Sequence, residues 1–196
     1  MMMKLKTILF LLGWLTITLS CKAQQIVPLD TYPTHIQNND YLKDINNELD
    51  FFIGTYQTNY QGNTYTLYIT KVIKQPFYDG VSANYFQDVL SMRYTIKNSS
   101  GQTIEDTHNM TFAPNQRDFT IYSLSSFDSS KLVAFFYSGI GCSIGNGSII
   151  FKQISGNQFS FKYRPGEYLY PFDCPNLTEN DVKLPAVVDG IIFTKL

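Results

Sequence analysis

Between Val89 and Lys97 the chain alternates strictly: Leu90, Met92, Tyr94 and Ile96 are apolar, while Ser91, Arg93, Thr95 and Lys97 are polar. Successive side chains of an extended strand point to opposite faces, so this pattern makes one face oily and the other wet. Phe159, Phe161 and Tyr163 alternate in the same way with Ser160, Lys162 and Arg164. From Thr64 to Ile73 the period places Tyr65, Leu67, Ile69 and Ile73 on one face, with Thr64, Thr66 and Thr70 on the other. Further strands are expected at Gly54 to Tyr60, Thr103 to Phe112, Phe119 to Leu124, Leu132 to Tyr137, Ser148 to Ile154 and Val187 to Leu196. Turn chemistry separates them. Gln61-Gly62-Asn63, Asn98-Ser99-Ser100-Gly101 and Ser155-Gly156-Asn157 supply residues that tolerate positive φ. A short helical turn is expected only around Asn47 to Phe52.

About nine short strands joined by tight turns make an all-β protein, either an antiparallel barrel of about eight or nine strands or a β-sandwich. Closure abolishes exposed strand edges, and few lysines guard an edge here, so the barrel is the expected form. Leu49 to Tyr56 reads Leu-Asp-Phe-Phe-Ile-Gly-Thr-Tyr, which resembles the Gly-x-Trp opening of lipocalin-like barrels, with Tyr56 in the tryptophan's place. That resemblance implies a short helical turn leading into the first strand, a bend at Gly54 and an aromatic closing one barrel end. The family's later Thr-Asp-Tyr signature is absent.

Lys4 and Lys6 precede an apolar run from Thr7 to Leu19, followed by Ser20-Cys21. This is the layout of an export signal. The run is about 13 residues, short of the roughly 20 that a helix needs to cross a bilayer core. Leu19-Ser20-Cys21 resembles the lipobox of bacterial lipoproteins, with Thr18 where leucine is usual. The resemblance implies cleavage before Cys21 and acylation of that cysteine. Two or more acyl chains, at about 0.8 kcal/mol per buried CH₂, anchor a domain without a spanning helix. The expected organisation is therefore a signal peptide over 1–20, a tether over 21–47 and one β domain over 48–196. The tether is rich in Gln, Asn and Asp, carries Pro28 and Pro33, and reads as a linker that gradually docks onto the domain. Leu-Ser-Cys-Lys-Ala-Gln, Pro-Leu-Asp-Thr-Tyr and Asn-Asn-Glu-Leu-Asp together resemble a family of short, uncharacterised Bacteroidetes-type envelope lipoproteins. An outer-membrane address facing the periplasm is implied, because no acidic run for surface display follows Lys22-Ala23-Gln24.

Loss of residues 1–20 removes two lysines and no acid, so 13 basic and 16 acidic residues remain, a net charge of −3 against −1 for the whole chain. No basic cluster is available to hold nucleic acid. The only tryptophan, Trp14, leaves with the leader. Of three cysteines, Cys21 is assigned to the lipid, which leaves Cys142 and Cys174 as an even pair in an oxidising compartment and predicts a disulfide. Closing that loop contributes about 3–4 kcal/mol in the chain-entropy model. No metal site or cofactor is expected, since the two histidines, His35 and His108, are remote in sequence from both cysteines.

Catalytic patterns are weak. Gly141-Cys142-Ser143-Ile144-Gly145 matches Gly-x-Ser-x-Gly, but Asn146-Gly147 turns the chain into a β run where a nucleophile elbow needs a helix, and no histidine follows the serine. Asp106 and His108 share a face if their strand is continuous, and read as a solvent-facing polar pair. Two aromatic connections are the candidate ligand or partner rim: Phe77, Tyr78, Tyr85 and Phe86, and beyond them Tyr168, Tyr170 and Phe172. Two functions follow. One is a lipid-anchored, non-catalytic module that binds a small apolar ligand or an envelope protein. The other is an accessory lipoprotein with a packed interior. A cavity of at least about 300 Å³ lined by Leu90, Met92, Tyr94, Phe159 and Phe161 would mark the first.

Overall fold

A computed structural model describes residues 24–78, 84–112, 116, 118–127, 131–166 and 177–196, without the side chains of 78, 125–127 and 179. Its strands are β1 (Ile26–Pro28), β2 (Tyr41–Lys43), β3 (Gly54–Tyr60), β4 (Asn63–Tyr78), β5 (Asn84–Lys97), β6 (Thr103–Asp106), β7 (Ile121–Phe127), β8 (Leu132–Tyr137), β9 (Gly147–Ser155), β10 (Gln158–Pro165) and β11 (Val187–Lys195). The described helical turns are all short 3-10 segments.

Eight of these strands close an antiparallel barrel in the order β3-β4-β5-β7-β8-β9-β10-β11 and back to β3. Chain neighbours are sheet neighbours throughout, except that β6 is passed over and pairs only with β5. The last strand meets the first through Thr194 with Gln57 and Lys195 with Tyr56. This is the barrel that the alternating runs predict; the sandwich is not formed.

Closure concentrates its difficulty on β5. One edge of that strand pairs with β4 along its length, while the other is divided among β2 at Phe86–Gln87, β7 at Ser91 and β6 at Thr95–Lys97. Where β5 meets β7, side chains supplement the ladder. Ser123 Oγ accepts the Leu90 N–H at 2.8 Å, and Gln87 Nε2 donates to the Leu124 carbonyl at 3.0 Å.

The inward faces are those the period assigns. Leu90, Met92, Tyr94 and Ile96 from β5 are buried, as are Phe159, Phe161 and Tyr163 from β10. Phe151 is the centre of an aromatic cluster, with ring centroids 4.2 Å from Phe159, 4.5 Å from Phe135 and 5.8 Å from Phe161. Phe52 reaches the same cluster from the 3-10 turn Asp50–Phe52, at 6.1 Å from Phe151 and 6.0 Å from Phe159. After that turn Gly54 takes φ +140, a backbone conformation that side-chain-bearing residues rarely adopt, beside the flexible end of the Lys195 side chain from β11. Tyr56 follows, fully buried, with its hydroxyl donating to the Phe51 carbonyl at 2.8 Å and the Lys195 ammonium 5.6 Å from its ring centre.

Three local expectations change. Ile73 faces solvent with 61 % of its surface exposed, because the β4–β5 register shifts between Val72 and Gln75 around Lys74 at φ +56. The strand expected to reach Phe112 ends at Asp106, where the chain turns from Thr107 to Met110. The segment expected as a tether contributes β1 and β2, which pair in parallel with each other, β2 pairing in parallel with β5 as well, and it buries Leu29, Tyr41 and Leu42. From Gln24 onward it is a strap bound to the barrel.

Candidate functional site

The barrel interior is the first place to look for a ligand. Leu90, Met92, Tyr94, Phe159 and Phe161 each have 0 % accessible surface. A void wide enough for one water would leave part of a lining side chain accessible, so nothing of that size touches these five. An apolar guest would have to displace the phenylalanine cluster itself.

Near the barrel end where β8 turns into β9, the interior becomes polar. The Tyr94 hydroxyl donates to Glu105 Oε1 and lies against Tyr137, whose ring packs edge-on to Tyr163 at 5.9 Å. Tyr163 in turn donates to the Gly145 carbonyl. Burial pushes the Glu105 carboxyl up, against the opposing effects of the Tyr94 hydrogen bond and the charge of Lys183, and burial also raises Tyr94. The buried hydroxyls of Tyr94 and Tyr163 thus find acceptors at this end of the barrel.

The Gly141–Ser143 segment is a 3-10 turn bracketed by the Ile140–Ile144 bridge, with Cys142 and Ser143 at φ +61 and +60. It leads into β9, so Ser143 does not head a helix. Asp106 and His108 meet through the backbone. The carboxylate of Asp106 accepts the His108 N–H at 2.8 Å, Thr95 Oγ1 at 3.0 Å and Asn109 Nδ2 at 3.1 Å, and these bonds hold Asp106 low against the upward pull of burial. The His108 ring stacks flat on Tyr68, with centroids 3.7 Å apart. Asp106 therefore caps the end of β6. No group of three or more His, Cys, Asp or Glu suited to a metal occurs among the described residues.

The rim is partly visible. Phe77 and Tyr85 are partners across β4 and β5 and stack with centroids 5.6 Å apart. Phe86, one position on, faces the other side, where the Lys74 ammonium stands 5.1 Å from its ring and 5.6 Å from Tyr41. Tyr78 ends β4 beside Asn84. Tyr168, Tyr170, Phe172, Cys174 and Cys21 lie outside the described residues. The arm that carries the visible rim is long, because β4 runs nine residues past Ile69, the last partner of β3.

Periodicity did not single out the residues that hold this arm. Asp88 is buried and accepts the Tyr41 hydroxyl at 2.6 Å, the Lys74 N–H at 2.9 Å and the Asp44 N–H at 3.1 Å. Burial, then the Asp88 hydrogen bond and charge, push the Tyr41 phenol up to about 12. Asp44 accepts the N–H groups of Glu48 at 2.8 Å and Leu49 at 3.3 Å and pairs with Lys71 at 2.6 Å, while Lys71 also donates to Asp50 at 2.9 Å. Burial alone would lower Lys71; its two carboxylate partners outweigh that and raise it.

On the opposite wall, Lys152, Lys162 and Arg164 surround a shallow outward-facing hollow of about 210 Å³ floored by Leu132, Ile150 and Ser160.

The model of a family of unknown function (DUF6705) matches residues 3–158, and the chain belongs to that family. The match spans the N-terminal apolar run and Cys21 and ends before β11, which closes the barrel. No curated protein and no solved structure matches the chain.

Proposed function

We propose that this DUF6705 member is a non-catalytic envelope lipoprotein of the accessory kind, anchored through acylated Cys21 and acting through the outside of a solid barrel on another envelope protein. The observation that carries the reading is that the five residues nominated to line a ligand cavity have no accessible surface. Support for the anchor comes from the leader, in which Lys4, Lys6 and the apolar run precede Ser20-Cys21, and from a family match that begins at residue 3 and so includes it. The outer membrane, facing the periplasm, is the proposed address.

A disulfide between Cys142 and Cys174 belongs to the same proposal. It is supported by the even pair that Cys142 and Cys174 make once Cys21 carries lipid, in an oxidising compartment. The bond would tie the β10–β11 connection to the β8–β9 turn.

Native mass spectrometry of the protein from its host's membranes tests the whole reading. The expected result is an acylated N-terminal cysteine, a two-dalton deficit from one disulfide, and a co-purifying protein in simple ratio. A small apolar molecule retained by the barrel after delipidation would overturn the accessory role in favour of ligand carriage. An unmodified leader would overturn the anchor.

A further inference from the structure

The strap fixes how far the barrel can stand from its anchor. Gln24 is held on both sides of its amide, with Nε2 donating to the Asn39 carbonyl at 2.9 Å and Oε1 accepting from Lys74 Nζ at 2.9 Å. Next to it, the Tyr41 N–H donates to the Gln25 carbonyl at 2.7 Å. A free tether over 21–47 would reach roughly 90 Å, but the chain from Cys21 to Gln24 spans at most about 11 Å. Since β1 and β2 run parallel to β5, Gln24 enters at the same end of the barrel as Asn84 and the tip of the β4–β5 arm. An acyl chain on Cys21 therefore brings that end to the bilayer.

The surface found there suits an interface. Phe77 and Tyr85 stack, partly buried, on one side of the arm; Phe86 carries Lys74 on the other; Ile26 and Ile73 are 59 % and 61 % exposed. Aromatic rings favour the headgroup level of a membrane, and a lysine beside them keeps its ammonium in the wet layer while its stem lies among apolar groups. Of the neighbouring acids, Asp44 pairs with the Lys71 ammonium, while Asp88 accepts the Tyr41 hydroxyl and the backbone N–H groups of Asp44 and Lys74, so carboxylates stand beside the lysines at this end.

We propose that the part of the β4–β5 arm that carries Phe77, Tyr85 and Phe86, with the adjoining strap, lies in the interfacial layer of the membrane that holds Cys21, so that the barrel is seated on the bilayer by protein contacts as well as by lipid. The proposal rests on the acylation of Cys21 put forward above. It commits to a lipid surface of either charge, because the contact is apolar and aromatic. The wall bearing Lys152, Lys162 and Arg164, on β9 and β10 across the ring from β5, is left facing away.

The processed protein has no tryptophan, so single-tryptophan reporters are clean. Phe77→Trp and, at the far end of β3, Tyr60→Trp lipoproteins are purified from membranes and reconstituted into phosphatidylcholine vesicles with brominated acyl chains. The indole of the Phe77→Trp protein is expected to shift to the blue and lose most of its emission, at low and high salt alike, while that of the Tyr60→Trp protein keeps its emission. Anchored Phe77→Trp protein that is not quenched, or equal quenching of the two reporters, overturns the seating but leaves the anchor standing. Mass analysis of the same samples showing no acyl chain on Cys21 overturns the anchor and the seating together.

Discussion

Two buried regions of this barrel are held by opposite physics. Around Phe151, rings from β8, β9, β10 and the 3-10 turn fill space with no polar atom to satisfy. Around Asp88, one carboxylate collects three donors from the strap and the β4 bulge, and Asp44 repeats the device one step away. Apolar packing is tolerant of direction and scales with area, whereas a buried carboxylate holds only while its partners stay in place. The aromatic region closes the barrel; the carboxylate region attaches a segment to it.

Phe151→Ala should make the largest difference. It opens a cavity among stacked rings and is expected to cost about 3–5 kcal/mol in urea unfolding, by the usual scale of a large-to-small core change. A loss below about 1 kcal/mol would mean that the rings relax around the gap and that the interior is softer than described. Asp88→Ala should come next. It leaves the Tyr41 hydroxyl and two backbone N–H groups without their acceptor, at about 1–3 kcal/mol, and it should speed proteolysis between Gln24 and Glu48 more than elsewhere. Uniform cleavage across the chain would show that the strap and barrel are one cooperative unit.

Glu105 sharpens the comparison through pH. Its carboxyl is raised in the folded state, so its neutral form is the one folding favours; the contribution is complete below the ordinary carboxyl range and is lost as pH rises through the raised value. Glu105→Gln keeps an acceptor for Tyr94 and removes that loss. Thermal unfolding should show the variant about 2–4 °C more stable near neutral pH and level with the parent in acid, the scale of about 1 kcal/mol for a domain of this size. A constant offset at every pH would assign the effect to packing instead. Ile73→Ser, on the exposed bulge, should alter soluble-domain stability by no more than about 0.5 kcal/mol.

Much of the barrel was legible because its signal is local. Leu132–Tyr137 and Gly54–Tyr60 are strands over the very residues where alternation and turn residues placed them, and the inward set of β5 and β10 follows from period two alone. Ile73 was misplaced because a bulge at Lys74 breaks that period, and nothing about a lysine announces positive φ. The extent to which the strap docks was hidden for a different reason. Its polar composition suits a linker, yet Tyr41, Asp44 and Leu42 find partners on β4 and β5 that lie far away in sequence. The candidate rim was visible as aromatic clustering, but the role of Asp88 beneath it was not.

Local order in the residues determined that this chain would be all-β, that its strands would carry one apolar face, and that a lipobox-like layout precedes Cys21. Those properties depend on neighbours two to four positions apart, which alternation and composition record. Only the tertiary structure decided that Leu90, Met92, Tyr94, Phe159 and Phe161 keep no accessible surface, that the segment from Gln24 onward is bound and not free, and at which end of the barrel that segment enters. Such matters depend on whether distant groups arrive together at hydrogen-bonding or packing distance, and no local pattern carries that information.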